Sequence, residues 1–208
     1  MEIITCDQNS DEWLRARMGI PTASEFSTVM ASGRNGGASK TRRAYMLKLA
    51  GEIITGKPSE GYSNAHMERG HEMEPEARDL YAFTRRATPE LVGFIRNGQK
   101  GASPDSLIGS DGLLEIKTKQ PHLHLECLLR DEFPAEHKAQ CQGALWVSER
   151  EWIDIAVYWP GLPLFVKRAT RDEEYIAKLA GAVDQFNHEL AEIVERVRSY
   201  GRVVREAA

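Results

Sequence analysis

Between residues 172 and 199, apolar side chains recur at steps of three and four: Ile176, Leu179, Val183, Phe186, Leu190, Ile193 and Val197. That spacing lays them along one stripe of a long helix that must bury it. Near the N-terminus the same period comes in shorter pieces, set off by cap and stop residues. Asn9 or Ser10 can cap a helix carrying Trp13 and Leu14, which Gly19 stops. Thr22-Ala-Ser-Glu25 has the spelling of a capping box and predicts a second helix through about Met30. SGRNGG at 32–37 reads as a loop. A third helix, from about Lys40 to Thr55, shows Tyr45, Leu49 and Ile53 on one face before Gly56 and Pro58 end it. A fourth is predicted from about Asn64 to Arg85, with Pro75 bending or breaking it.

Beyond residue 90 the character changes. Residues 91–96, 105–109 and 113–118 read as strands, the last two joined by the turn signal Gly109-Ser-Asp-Gly112. Helical stretches follow at about 121–131 and from Pro134 to about Val147, then strands at 152–159 and 163–168 around Pro160-Gly161. The order predicts a single α/β domain over 1–208. Its parts are N-terminal helices at 1–86, a small mixed β-sheet core at 90–170 flanked by helices, and a C-terminal helix at 171–200. No apolar run approaches the roughly 20 residues of a membrane span, and MEIITCDQNSDEW lacks the order of a signal peptide, so a cytoplasmic protein with no membrane partner is expected.

Apolar residues at 41% and charged residues at 28% make disorder a poor reading. Cys6, Cys127 and Cys141 are too few and too scattered for a disulfide framework or a four-cysteine metal site, and read as buried reduced thiols. The net charge of −4 counts against nucleic acid, but it describes an average and not a particular face. From Arg34 to Gly51 there are five basic residues (Arg34, Lys40, Arg42, Arg43, Lys48) and no acidic one, which is either a solvated face or a phosphate contact.

The chemistry concentrates in Ser103-Pro-Asp-Ser-Leu-Ile-Gly-Ser-Asp-Gly-Leu-Leu-Glu-Ile-Lys117. Glu115 and Lys117, two apart on a strand, point to one face, and the hairpin can bring Glu115 near Asp105. Two carboxylates facing one point suit a hard cation such as Mg²⁺, and a neighbouring lysine can hold a water or steady charge on a phosphate. An exposed Glu-x-Lys pair is commonly plain surface. Here Leu113, Leu114 and Ile116 mark a buried strand, where three charged groups are costly without a metal or partners. A third carboxylate can come from Glu68, Glu72, Glu74 or Glu76, and residue spacing does not choose among them. His122-x-His124 with His137 does not have the spacing of a standard zinc site.

The Pro-Asp then Glu-x-Lys pattern resembles the signature of the PD-(D/E)xK nucleases, whose core is restriction-endonuclease-like. The rest of the chain is similar to the lambda exonuclease and YqaJ-type viral recombinase family. The likeness lies in Trp13 with Leu14-Arg-Ala-Arg-Met-Gly-Ile-Pro-Thr-Ala-Ser-Glu25, Gly70-His-Glu-Met-Glu74, Ser103-Pro-Asp105, Glu115-Ile-Lys117 and Ala139-Gln-Cys-Gln142, in the family order. The resemblance implies a 5′-to-3′ exonuclease acting on double-stranded DNA ends that carry a 5′-phosphate. It releases 5′-mononucleotides and leaves a 3′ single strand for phage-type recombination in a bacterial host. Glu74, Asp105, Glu115 and the Ile116 carbonyl are implied ligands of two Mg²⁺ ions, which Mn²⁺ can replace. Lys117 would activate or position the attacking water, and Gln140 would line the active site. Arg17, Ser24 and Ser103 would hold the 5′-phosphate, with the first-turn amides around Ser24 adding to the attraction. Arg34 and Met67 match DNA-contacting positions. A ring-shaped homotrimer and a single-strand annealing protein partner are implied too. Thr118-Lys119-Gln120-Pro121 stands where the family has Cys-Pro, and His137 where it often has tyrosine. An endonuclease of the same superfamily and a non-catalytic DNA-binding module are the alternatives.

Overall fold

The computed structural model of the protein describes residues 1–33, 39–59 and 65–201, with the side chains of 65–67 outside the description. Two sheets form. In the smaller, β1 (Glu2–Ile4), β3 (Phe94–Asn97) and β4 (Lys100–Ala102) pair antiparallel with β3 central. In the larger, β2 (Pro89–Glu90), β5 (Ser106–Ile108), β6 (Gly112–Thr118), β7 (Trp152–Tyr158) and β8 (Phe165–Thr170) lie side by side in that order. β6 and β7 are parallel and every other pair is antiparallel, so the sheet is mixed, as the element order predicts. The parallel pair needs a long crossover, and α5 (Pro121–Arg130) and α6 (Lys138–Ser148) supply it. The Gly109–Gly112 turn closes β5 onto β6 with Ile108 opposite Gly112, and Gly109 takes the left-handed φ of 55°.

Both faces of the larger sheet are covered, which is why β6 and β7 read as continuous apolar runs. On one face Leu113, Ile153 and Ile155 pack against Cys141 and Leu145 of α6 and Leu179, Val183 and Phe186 of α7 (Glu173–Arg198). α2 (Phe26–Met30) and α3 (Lys40–Thr55) close the same core through Phe26, Val29, Met46 and Leu49. On the other face Leu114, Ile116, Ala156 and Tyr158 meet Ala77 and Tyr81 of α4 (Ala65–Arg85). The stripe on α7 runs as predicted to Leu190, then shifts to Val194, leaving Val197 half exposed.

Several expectations are corrected. α4 is not broken at Pro75. A proline inside a helix costs about 3 kcal/mol. Here it removes only the bond to the His71 carbonyl on the exposed side, while Ala77 and Tyr81 anchor the following turns. The capping-box helix is instead a 3-10 turn at Ala23–Glu25 followed by the five-residue α2, and the Thr22 side chain makes no cap bond. Thr22 is committed elsewhere: its N–H donates to the Tyr45 hydroxyl (3.2 Å) and its backbone bridges to Gly101. The short strands β1, β2 and β4, two or three residues long, are too brief to show alternation and escape sequence reading. Within the basic run, Arg42 is buried and donates to the Val29 carbonyl and to both oxygens of Glu189 on α7, so it ties helices together and is not part of a solvated basic face. The cysteines are all free, but only Cys141 is buried. No helix among the described residues is long and apolar enough to cross a membrane.

His122 is exposed and His124 buried, so the pair diverges. His124 donates from Nε2 to the Pro163 carbonyl (3.0 Å), and burial lowers its pKa from the usual 6.5. The unfolded chain therefore takes up a proton that the folded chain resists. This group's contribution to stability is full above about pH 6.5 and is lost as pH falls below it. We expect urea unfolding to show lower stability at pH about 5.5 than about 7.5, and His124→Gln to flatten that difference; an unchanged slope in the variant would exclude His124 as a source.

Candidate active site

The alternation of β6 sets the first two groups. Glu115 and Lys117 share the face toward α6, and Lys117 Nζ donates to Glu115 Oε1 at 2.7 Å. Glu115 is 3% exposed. Its Oε1 also accepts from Gln140 Nε2 of α6 at 2.5 Å. Asp105 stands just before β5, its N–H donating to the Leu114 carbonyl (3.0 Å) and its Oδ2 accepting from the Ile116 N–H. The same alternation turns the Ile116 backbone toward Asp105, beyond the end of β5. Glu74 reaches in from α4, where Arg78, one turn on, donates to Oε1. Arg78 Nε in turn donates to Ser106 Oγ (3.1 Å), which donates to the Asp105 carbonyl (2.5 Å). Of the other α4 acids, Glu72 and Glu76 are exposed, and Glu76 bonds Tyr158.

The charges do not balance. Burial, then the like charges of Glu115 and Glu74, holds the Asp105 carboxyl well above the usual carboxylate range, against the opposing pull of Lys117 and the Ile116 N–H. Burial works against the Lys117 ammonium, but Glu115 and Asp105 together keep it above its ordinary value. Three carboxylates thus stand against two cations, Lys117 on Glu115 and Arg78 on Glu74, which leaves Asp105 without one of its own, and every spare donor is an oxygen. That chemistry fits a hard divalent cation. Among the described residues no three acidic, histidine or cysteine side chains already close on a common point, because Glu74 lies on Arg78 while Lys117 and Gln140 hold Glu115.

Asp105, Glu115 and Gln140 line a cavity of about 200 Å³, whose wall also includes Arg17, Ser24 and Ser103 but not Glu74 or Lys117. The Arg17 guanidinium sits 4.0 Å from the centre of the Trp13 ring and donates to Thr22 Oγ1 at 3.3 Å. Burial lowers its pKa, and among the described residues it forms no ion pair. Ser24 Oγ lies 3.2 Å from Thr22 Oγ1, and Ser103 Oγ accepts from Trp13 Nε1 at 2.8 Å. The expectation that a helix N-terminus supports this pocket is corrected: the elements after Thr22 are too short for an appreciable dipole, and side chains form the pocket.

Four polar lining residues were given no place in the site from the sequence: Gln8, Asn9, Thr22 and His71. Gln8 ties the Val92 and Pro104 carbonyls together at 3.1 Å each, and Asn9 Nδ2 lies 3.3 Å from His71 Nε2. Gln8 and Asn9 belong to no motif, and Thr22 and His71 lie inside motifs whose spelling does not say which side chains face the cavity. Arg78 was legible only as the i+4 partner of Glu74. Trp13 stood out as part of a motif, but its bridging of Arg17 to Ser103 did not. Arg34 and the side chain of Met67 lie outside the described residues.

Residues 12–151 match the model of the YqaJ-like viral recombinase domain. The chain belongs to that family. The matched span takes in Trp13, the acidic centre and Gln140, and so all of the cavity's lining except Gln8 and Asn9. In fold, this YqaJ-like chain is similar to the crystal structure of an alkaline exonuclease (LHK-Exo) from Laribacter hongkongensis. The TM-score is 0.83, with 32% identity over 96% of this chain and 100% of that one. LHK-Exo in complex with dAMP matches equally well. The phage-related exonuclease of Haemophilus somnus 129PT, at TM-score 0.65 and 14% identity over 86% of this chain and 96% of that one, shares the fold. No functionally curated protein matches the sequence.

Proposed function

We propose that this YqaJ-like chain is a magnesium-dependent exonuclease that digests double-stranded DNA from the 5′ end, releasing 5′-mononucleotides and leaving a 3′ single strand. One observation carries the reading: a single cavity holds both an arginine that forms no ion pair among the described residues and the buried carboxyl groups of Asp105 and Glu115, where negative charge is in excess. A terminal 5′-phosphate suits Arg17, Ser24 and Ser103 through a guanidinium fork and two hydroxyls. Holding that phosphate sets the polarity, because it presents the next phosphodiester to the acids a fixed distance away. Glu74, Asp105, Glu115 and the Ile116 carbonyl would hold Mg²⁺, which supplies neutralising charge and activates water. Lys117, in its charged form, donates to the attacking water or a phosphate oxygen from Nζ. Gln140 fixes the Glu115 rotamer, and Arg78 steadies Glu74 when no cation does. The exonuclease name and the dAMP complex of the Laribacter relative support the reading, since dAMP is a product of the proposed kind.

A 208-residue chain is too small to enclose a duplex, so the reading extends to a ring-shaped homotrimer. It extends also to a single-strand annealing protein that takes up the exposed 3′ strand. Light scattering at the mass of three chains would support the ring, and a monomer under digestion conditions would remove it.

The deciding experiment incubates the protein with Mg²⁺ and duplexes labelled at either end, linear or closed circular. Loss of label from the 5′ end with circles left intact is expected; cutting of circles would replace the reading with an endonuclease. Arg17→Ala should erase any preference for 5′-phosphorylated over 5′-hydroxyl ends, a loss of about 1.5–3 kcal/mol of charged hydrogen bonding, or roughly ten- to a hundredfold in kcat/KM. An intact preference on matched substrates would place the phosphate elsewhere.

A further inference from the structure

A second cavity, of about 490 Å³, opens between the C-terminal end of α4 and the face of the larger sheet away from α6. Its walls include Arg85, Arg86, Arg168, Trp152 and Asp154. Asp154 is 2% exposed and already satisfied: Arg168 donates to both of its oxygens (2.8 and 2.9 Å), and the Tyr81 hydroxyl donates to Oδ2 (2.8 Å). That closed network cancels one arginine. Arg85 reaches only the Val166 carbonyl (3.3 Å), and among the described residues neither it nor Arg86 forms an ion pair. Basic residues at a helix end answer the carbonyl dipole, but that is worth about half a charge. More than one positive charge is left over, in a protein whose net charge is −4.

The cavity also has a flat wall. The Arg168 guanidinium lies 3.5 Å from the centre of the Trp152 ring, and its side chain is 51% exposed. A cation stacked on an aromatic ring offers its outer face to another flat, polarisable group. Unpaired arginines beside a stacking surface are the pairing by which proteins take single-stranded nucleic acid without reading its sequence. Arg85 follows Glu74 by eleven residues on α4, about 16 Å along the helix axis, so the cavity and the acidic centre are separate stations on one rigid element.

We propose that this cavity binds a segment of single-stranded DNA, with Arg85 and Arg86 on its phosphates and a base against Arg168. Resting on the exonuclease reading, the segment is the strand that digestion leaves behind. The site is a holding point for product strand and takes no part in bond cleavage.

The test uses fluorescence anisotropy with a labelled oligothymidylate of about ten nucleotides, lacking a 5′-phosphate, in EDTA. The double variant Arg85→Gln/Arg86→Asn keeps a residue tolerant of the left-handed φ of 51° at position 86. It should bind the oligonucleotide about tenfold or more weakly, and its log affinity against log salt should flatten by about 1.4, the slope of two single-strand phosphate contacts. Its initial rate on a short 5′-phosphorylated duplex with Mg²⁺ should match the parent. An unchanged affinity and salt slope would overturn the proposal, and so would an equal loss of short-duplex cutting, which would mean general damage. Displacement of the oligonucleotide by dAMP with the affinity of the cavity itself would make it a mononucleotide site and end the strand assignment. If the parent protein digests no DNA, the nuclease reading fails, while the anisotropy result still decides whether this cavity binds a strand.

Discussion

Asp105→Asn is expected to lower Mg²⁺-dependent digestion about 10³-fold or more while raising the unfolding temperature of the metal-free protein. Both effects come from one charge. The Asp105 carboxylate is costly in the ligand-free pocket, because burial and the charges of Glu115 and Glu74 all work against it. Asparagine keeps an oxygen to accept the Ile116 N–H and removes the repulsion. A relief of about 1 kcal/mol corresponds to roughly 2–4 °C in a chain of this size. The same change takes a charged oxygen from the set that would hold Mg²⁺. Added Mg²⁺ should therefore stabilise the parent against heat more than the variant, by mass action on the folded state. Calorimetry in EDTA and in Mg²⁺, beside an end-label assay, checks the pair of effects. Full turnover in the variant would move the site elsewhere, and a lower unfolding temperature in EDTA would show that Asp105 is structural.

Lys117→Ala should separate binding from cutting. Lys117 is the one amine among the gathered acids and would touch water or a reacting oxygen, so its loss should slow cleavage by about 10²–10⁴-fold. Its removal leaves Glu115 with Gln140 but without a cation, which makes the centre more negative and should favour Mg²⁺. Arg17, Ser24 and Ser103, the proposed 5′-phosphate contacts, make no hydrogen bond to Lys117 and are untouched. DNA ends should therefore still bind in a gel-shift experiment with Mg²⁺ present, with little product formed. Retained cutting would refute the role, and loss of end binding together with cutting would give Lys117 a share in holding DNA.

How much of this site was legible followed from how local the causes are. The side-chain period of a strand puts Glu115 and Lys117 on one face wherever that strand lies, and the Gly109–Gly112 turn returns it beside Asp105. These are facts of covalent geometry and turn chemistry, readable along the chain. The stripe on α7 and the caps at Ser10 and Gly56 were readable for the same reason. Residue spacing left four acids open on α4, and only resemblance to a family singled out Glu74. The capping-box spelling at Thr22 misled because a pairing with distant Gly101 and Tyr45 outweighed the local preference.

Sequence by itself thus determined the identity of the strand pair, its polar face and the long closing helix, because each depends on neighbours a few residues away. Tertiary packing alone decided the rest. Ala77 and Tyr81 sit against the sheet and set the rotation of α4, which turns Glu74 inward and leaves Glu72 and Glu76 outside. Trp13, wedged between Arg17 and Ser103, draws together residues 86 positions apart along the chain into one pocket wall. Such convergence costs chain entropy that only burial of apolar surface far from the site can offset, and so it leaves no local mark in the order of residues.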